Sequence, residues 1–203
     1  MVDLHPLEID GTAYAFRTPT LYDTARLERT LTLQRVRRPS LNEFRVAALA
    51  GVAALAEAVG NLEEGERQAE AIEAWYPTLT PTDEDEIDEP DLEARGLELL
   101  RLETERAAEQ RRLYPLVTAI EANLERHWPA YAELVADRKY WDAVSRIEIV
   151  RLLLVRASGA ELARDGDNLL SAAAYKALTR RHRAQLATFA FGLLAPSETQ
   201  RKN

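Results

Sequence analysis

Leu7-Glu8-Ile9-Asp10-Gly11-Thr12-Ala13-Tyr14-Ala15-Phe16-Arg17-Thr18-Pro19-Thr20 is the stretch on which the reading of the whole chain turns. Asp10-Gly11 supplies the positive φ angles of a type I′ turn, and Leu7, Ile9, Tyr14 and Phe16 alternate on either side of it, which predicts a short β-hairpin. An isolated two-stranded hairpin is only marginally stable in water, so this one must lie on something. The rest of the chain reads as helix. The expected fold is therefore mainly α, with a short N-terminal β-hairpin packed on a multi-helix bundle.

Working outward, Leu21, Ala25, Glu28 and Leu31 recur at helical spacing and predict a first helix from Leu21 to about Val36. Arg37-Arg38-Pro39 breaks it. Ser40 with Glu43 three residues on forms a capping box that opens a helix over Leu41 to Val59, and Gly60 is placed to close it. A third helix, Leu62 to Trp75, carries Leu62, Ala69, Ile72 and Trp75 on one side and stops before Pro77. Residues 1–76 are thus expected to form one packed unit. Residues 77–90, with three prolines and the acids Asp83, Glu84, Asp85, Glu86, Asp88 and Glu89, read as an exposed, self-repelling linker.

Beyond the linker, residues 91–195 are expected to form a C-terminal helical region. Asp91 caps a long charged helix to about Tyr114, carrying Leu92, Leu99, Leu102, Ala107 and Leu113. From Pro115 shorter helices succeed it, Leu116 to Arg126, Pro129 to Asp137 and Trp141 to Ala157. The last is apolar in nearly every direction through Val144, Ile147, Ile149, Val150, Leu152, Leu153, Leu154 and Val155. That pattern suits a core centre or a helix clamped between core and partner. Ser158-Gly159 ends it, Arg164-Asp165-Gly166-Asp167-Asn168 reads as a polar turn between helices, and Leu169 to Leu194 supplies one or two more helices. Residues 196–203 read as a polar tail.

Composition narrows the function classes. The 203 residues are 46% hydrophobic and 30% charged with only 8 glycines, a helix-rich profile. A net charge of −8 opposes general nucleic-acid binding, where phosphate neutralisation dominates affinity. The absence of cysteine removes disulfides, thiolate metal sites and thiol nucleophiles. Met1-Val2-Asp3 lacks a basic signal-peptide start, and the Val46 to Ala56 run is too short and alanine-rich to span a bilayer, so no membrane partner is expected.

Motifs for chemistry are sparse. His5, His127 and His182 lie far apart without metal-ligand spacing and read as surface or cap residues. No Walker loop, dinucleotide fingerprint or nucleophile elbow is present, and Asp165-Gly166-Asp167-Asn168 lacks the closing glutamate of a calcium loop. Glu63-Glu64 and Glu103 with Glu105 read as solvated helix faces. Arg180-Arg181-His182-Arg183 follows a helical segment and reads as a helix C-terminal cluster or a surface patch, with contact to RNA or an acidic partner as the alternative. No catalytic residue, metal or cofactor is expected, and protein binding is the default activity.

The run Phe16-Arg17-Thr18-Pro19-Thr20-Leu21-Tyr22-Asp23-Thr24-Ala25-Arg26-Leu27-Glu28, following the Leu-Glu-Ile-Asp-Gly-Thr hairpin, resembles the start of tail assembly chaperones of long-tailed (siphovirus-type) bacteriophages and prophages. So do Arg35-Val36-Arg37-Arg38-Pro39-Ser40 and the segment from His127-Trp128-Pro129 to Tyr140-Trp141. The resemblance implies a non-enzymatic factor in the bacterial host cytoplasm. Such a factor binds the tape-measure protein, keeps it soluble and helps recruit tail-tube protein, with homo-oligomerisation open. Tyr14 and Phe16 of the hairpin and Trp141, Val144, Ile147 and Leu152 of the apolar helix are the expected partner-binding residues, although each taken singly reads as plain core. A helical structural virion protein, such as a head-to-tail adaptor, is the alternative.

Overall fold

The structure is a computed structural model that describes residues 4–76 and 92–194, without the side chains of 92–99 and 103. The expected linker at 77–90 and tail at 196–203 lie outside the described residues. The fold is mainly α with an N-terminal antiparallel hairpin, as the sequence predicts. Its described residues divide into two compact units, one of residues 4–38 with 137–194 and one of residues 39–76 with 92–136. This partition corrects the expectation of a packed unit over 1–76. The hairpin shares its core with the first helix, through Leu27 and Leu31, and with the C-terminal residues, and not with the helices at 41–59 and 62–75.

In the first unit, β1 (Leu4–Ile9) and β2 (Thr12–Arg17) pair from Leu4↔Arg17 to Ile9↔Thr12. Asp10 at φ 51° and Gly11 at φ 77° make the left-handed pair that a type I′ turn requires. The hairpin is not alone. Leu154–Ala157, expected as the end of a helix, is strand β3, which pairs antiparallel with β2, and β4 (Ala160–Glu161) completes a sheet in the order β1-β2-β3-β4. Ser158 at φ 49° and Gly159 at φ 80° turn β3 into β4, as Asp10-Gly11 turns β1 into β2. A register shift between Ala15 and Phe16 marks a bulge in the β2/β3 ladder.

Helix α1 (Asp23–Leu33) comes after β2. Further along the chain, the C-terminal part of α5 (Pro129–Leu153) feeds β3, and α6 (Ala172–Ala177) and α7 (Arg180–Leu194) come after β4. Phe16, Ile149, Val150, Leu153, Leu154, Leu170, Leu186 and Ala190 form the centre of this unit's core, and Phe189 of α7 packs on Phe16 with the rings tilted by 54° and their centroids 5.1 Å apart. The platform that the hairpin needs is therefore α7 on one face and β3 at its edge.

The second unit holds α2 (Leu41–Val59), α3 (Leu62–Trp75), α4 (Leu92–His127) and the first turns of α5. Ser40 and Glu43 form the predicted reciprocal capping box, and Gly60 closes α2 in the left-handed conformation at φ 70°. The core joins Phe44, Ala48 and Val52 of α2 to Ile72 of α3 and Val117, Ile120 and Leu124 of α4. Gly51 lets α2 approach α4 closely, since a Cβ there would lie 2.6 Å from the Leu124 side chain. Two expected breaks are absent. Pro115 lies inside α4, and the separate helices predicted at Pro129 to Asp137 and from Trp141 are one continuous α5. Buried Leu113, Val117 and Ile120 hold α4 on both sides of the proline, so tertiary packing overrides the local preference.

Candidate functional site

The segment between β2 and α1 is built around one carboxylate. Asp23 is 3% exposed and receives four donors. Arg17 Nη2 donates to Oδ1 and Nη1 to Oδ2, both at 2.7 Å, while the Thr20 N–H (2.6 Å) and hydroxyl (3.0 Å) also donate to Oδ2. Arg17 is fixed in turn by donating from Nε to the carbonyl of Leu152 at 3.3 Å. Burial pushes the Asp23 carboxyl up, but the Arg17 hydrogen bonds and charge and the Thr20 donors outweigh it and hold its pKa below the ordinary value. With both oxygens occupied by structural donors, Asp23 is a latch and offers no base for catalysis.

The latch closes the turn Thr20-Leu21-Tyr22-Asp23, with the Asp23 N–H donating to the Thr20 carbonyl at 3.1 Å. Its geometry leaves the two central side chains in water: Leu21 is 94% exposed and Tyr22 80%. Two large apolar side chains at adjacent positions, held out by a buried bidentate ion pair, are the most distinctive surface feature of the first unit. Helical spacing alone puts Leu21 on the buried stripe of α1. That helix begins at Asp23, so Leu21 falls before it and its spacing to Ala25 and Leu31 carries no facial meaning. The signal present in the sequence is Thr20 and Asp23 flanking an apolar pair, a short polar latch around residues that fit no periodicity.

The expected partner-binding residues lie elsewhere. Tyr14 (5% exposed), Phe16 (0%) and Leu152 (3%) are core, which corrects their assignment to a contact surface, because exposing them requires opening the unit. Trp141, Val144 and Ile147 are half-buried against the same core, and the Arg38 guanidinium sits over the Trp141 ring at 4.5 Å.

His182 is neither a cap nor a free surface residue. Tyr14 donates its hydroxyl to His182 Nδ1 at 2.7 Å in the tautomer protonated at Nε2, and Nε2 faces Asp10 Oδ2 at 3.4 Å. Arg181 adds a contact to Asp10 Oδ1 at 3.2 Å. The order acid, imidazole, hydroxyl is that of nucleophilic sites, yet burial raises the pKa of Tyr14 and the phenol has no open face for a substrate. The three groups instead pin the hairpin turn to the first turn of α7. Arg180-Arg181-His182-Arg183 thus opens a helix, against the expectation that it closes one.

Asp165 of the 164–168 loop is also structural. Asp165 Oδ1 accepts the N–H groups of Leu169 (2.9 Å) and Asp167 (3.2 Å), and Oδ2 accepts from Arg151 at 2.6 Å. These hydrogen bonds hold its pKa below the ordinary value, the Leu169 N–H first, against the effect of burial. Arg151 also binds Glu148 through both carboxylate oxygens, at 3.0 and 2.9 Å. The loop connects a strand to a helix, and not two helices as expected. Among the described residues no group of histidine, aspartate and glutamate side chains is arranged to hold a metal ion, and no helix is long and apolar enough to cross a membrane.

Comparisons with protein-family models, with curated proteins and with solved structures returned no match. What the fold and site define is a helical protein with a latched apolar projection.

Proposed function

We propose that this protein is a tail assembly chaperone of a long-tailed bacteriophage or prophage, a non-enzymatic factor that covers the tape-measure protein and helps bring tail-tube subunits to it. The observation that carries the reading is the Leu21-Tyr22 projection. It stands within the segment that resembles the family, on a turn whose rigidity is set by Arg17 and Asp23. A preorganised apolar pair loses little conformational freedom when a client helix covers it. Covering a side chain of this size contributes about 1.5–3 kcal/mol. That is a reversible grip, suited to a client that must be handed to tube subunits, and a surface of net charge −8 keeps the complex dispersed.

Co-expression with the tape-measure and tube proteins encoded beside it tests the reading. The expected result is a tape-measure protein recovered in solution as a complex, and loss of that recovery with Leu21→Ser/Tyr22→Ser at unchanged melting temperature. Recovery of neither neighbour overturns it. Presence of the protein in purified particles would then favour the head-to-tail adaptor.

A further inference from the structure

A second surface of the first unit has a different chemistry. Ala143 and Ile147 of α5, Tyr175 of α6 and Ala184 and Ala187 of α7 floor an open depression of about 360 Å³, and its rim carries Arg146, Arg180 and Arg183. Three features make the rim unusual. None of these arginines has an ion-pair partner among the described residues, whereas Arg17, Arg151, Arg156 and Arg181 of the same unit are each matched to a carboxylate. The first turn of α7 holds no acid, although the positive end of a helix dipole favours acids there and disfavours the bases it carries. Arg183 is drawn over the Tyr175 ring, 5.5 Å from its centroid, and its Nε is buried without a hydrogen-bond partner among the described residues.

An uncompensated, partly desolvated guanidinium beside two more cations and a helix N-terminus is a local excess of positive potential on a chain of net charge −8. We propose that this depression docks an acidic peptide segment, with one apolar side chain on the Ile147–Tyr175 floor and carboxylates on Arg146, Arg180 and Arg183. The floor selects a peptide over nucleic acid. It is apolar and only large enough for a side chain or two, and the chain's overall negative charge repels a long polyanion. Planar guanidinium groups receive carboxylates in bidentate fashion, which sets direction as well as charge. This site is separate from the Leu21-Tyr22 projection, and it does not depend on the identity of the client that the projection covers.

The test uses the full chain and a fluorescein-labelled short peptide alternating leucine with glutamate, titrated by anisotropy at low and physiological salt. Its controls are the same peptide with glutamine in place of glutamate and a labelled single-stranded oligonucleotide of similar length. Saturable binding of the glutamate peptide alone is expected. It should weaken about tenfold in Arg146→Gln/Arg180→Gln, both exposed and therefore tolerant of change, and remain unaltered in Arg29→Gln/Arg106→Gln, which removes the same charge elsewhere. Equal binding of the glutamine peptide, equal weakening by both double variants, or no binding overturns the proposal. Tighter binding of the oligonucleotide that Arg146→Gln/Arg180→Gln abolishes also overturns it, in favour of a phosphate site.

Discussion

Arg17 and Asp23 show how one pair of residues can govern a surface it does not belong to. Asp23 is nearly fully buried and Arg17 is 20% exposed at its side chain, so removing either leaves the other uncompensated, but the costs are unequal. Arg17→Leu strands a carboxylate in the interior and is expected to destabilise the first unit by about 3–5 kcal/mol. Asp23→Asn keeps an acceptor for Thr20 and leaves a guanidinium that still reaches solvent and donates to the Leu152 and Thr18 carbonyls, so its cost is expected to be smaller, about 1–3 kcal/mol. Urea unfolding followed by fluorescence separates the two.

The same carboxyl sets an acid response. Its pKa is lowered in the folded chain, so its stabilisation is fully present above the ordinary aspartate value, near pH 4, and is lost as pH falls through the lowered folded value. Wild-type protein should lose stability over that window, and Asp23→Asn should lose less, as unfolding midpoints measured across the acid range would report. Asp165, also lowered, adds to the same window, so Asp23→Asn flattens the profile without abolishing it.

At the scale of elements, the legible part of the fold is whatever depends on neighbours in sequence. Asp10-Gly11, the Ser40/Glu43 box and Gly60 each act within a few residues, and each stands where it is expected. Leu154–Ala157 escapes such reading because Ile149 to Val155 is apolar at every position but Arg151, a pattern that a buried helix and a buried strand share. Its strand character comes from β2, far away in sequence, and the local trace of it is Ser158-Gly159, a turn pair of the same kind as Asp10-Gly11. Reading Tyr14 and Phe16 as a binding face fails for the same reason, since the elements that bury them are distant in sequence. Of the candidate site, the segment is legible and the projecting residues are not.

Pro115 gives the element scale its prediction. A proline inside α4 leaves the Arg111 carbonyl without its helical donor and strains the preceding turn, a cost that packing on both sides offsets. Pro115→Ala should therefore stabilise the second unit, by about 1–3 kcal/mol. A raised melting temperature with unchanged helical circular dichroism would be the signature. A lowered one would mean that the proline itself is needed to seat Leu113 and Val117.

At the scale of the whole molecule, the two cores differ in how the chain supplies them. The second unit is drawn from one run of sequence, whereas the first joins residues before Pro39 to residues after Ala136. Hydrogen exchange followed by mass spectrometry is expected to show two protection levels divided at those boundaries, with Arg17→Leu lowering protection in β1, β2 and β3 and leaving α2 and α3 unchanged.

That division has a consequence during synthesis. Strand β2 ends at Arg17, but the strand it pairs with begins at Leu154, so the hairpin emerges from the ribosome long before its platform exists. Residues of the second unit emerge in between and find their partners close at hand, while a hairpin on its own is marginal. The part of the fold that the sequence announces most clearly is thus completed last. For that interval Tyr14 and Phe16, sealed in the finished protein, are open to whatever else the cell offers them.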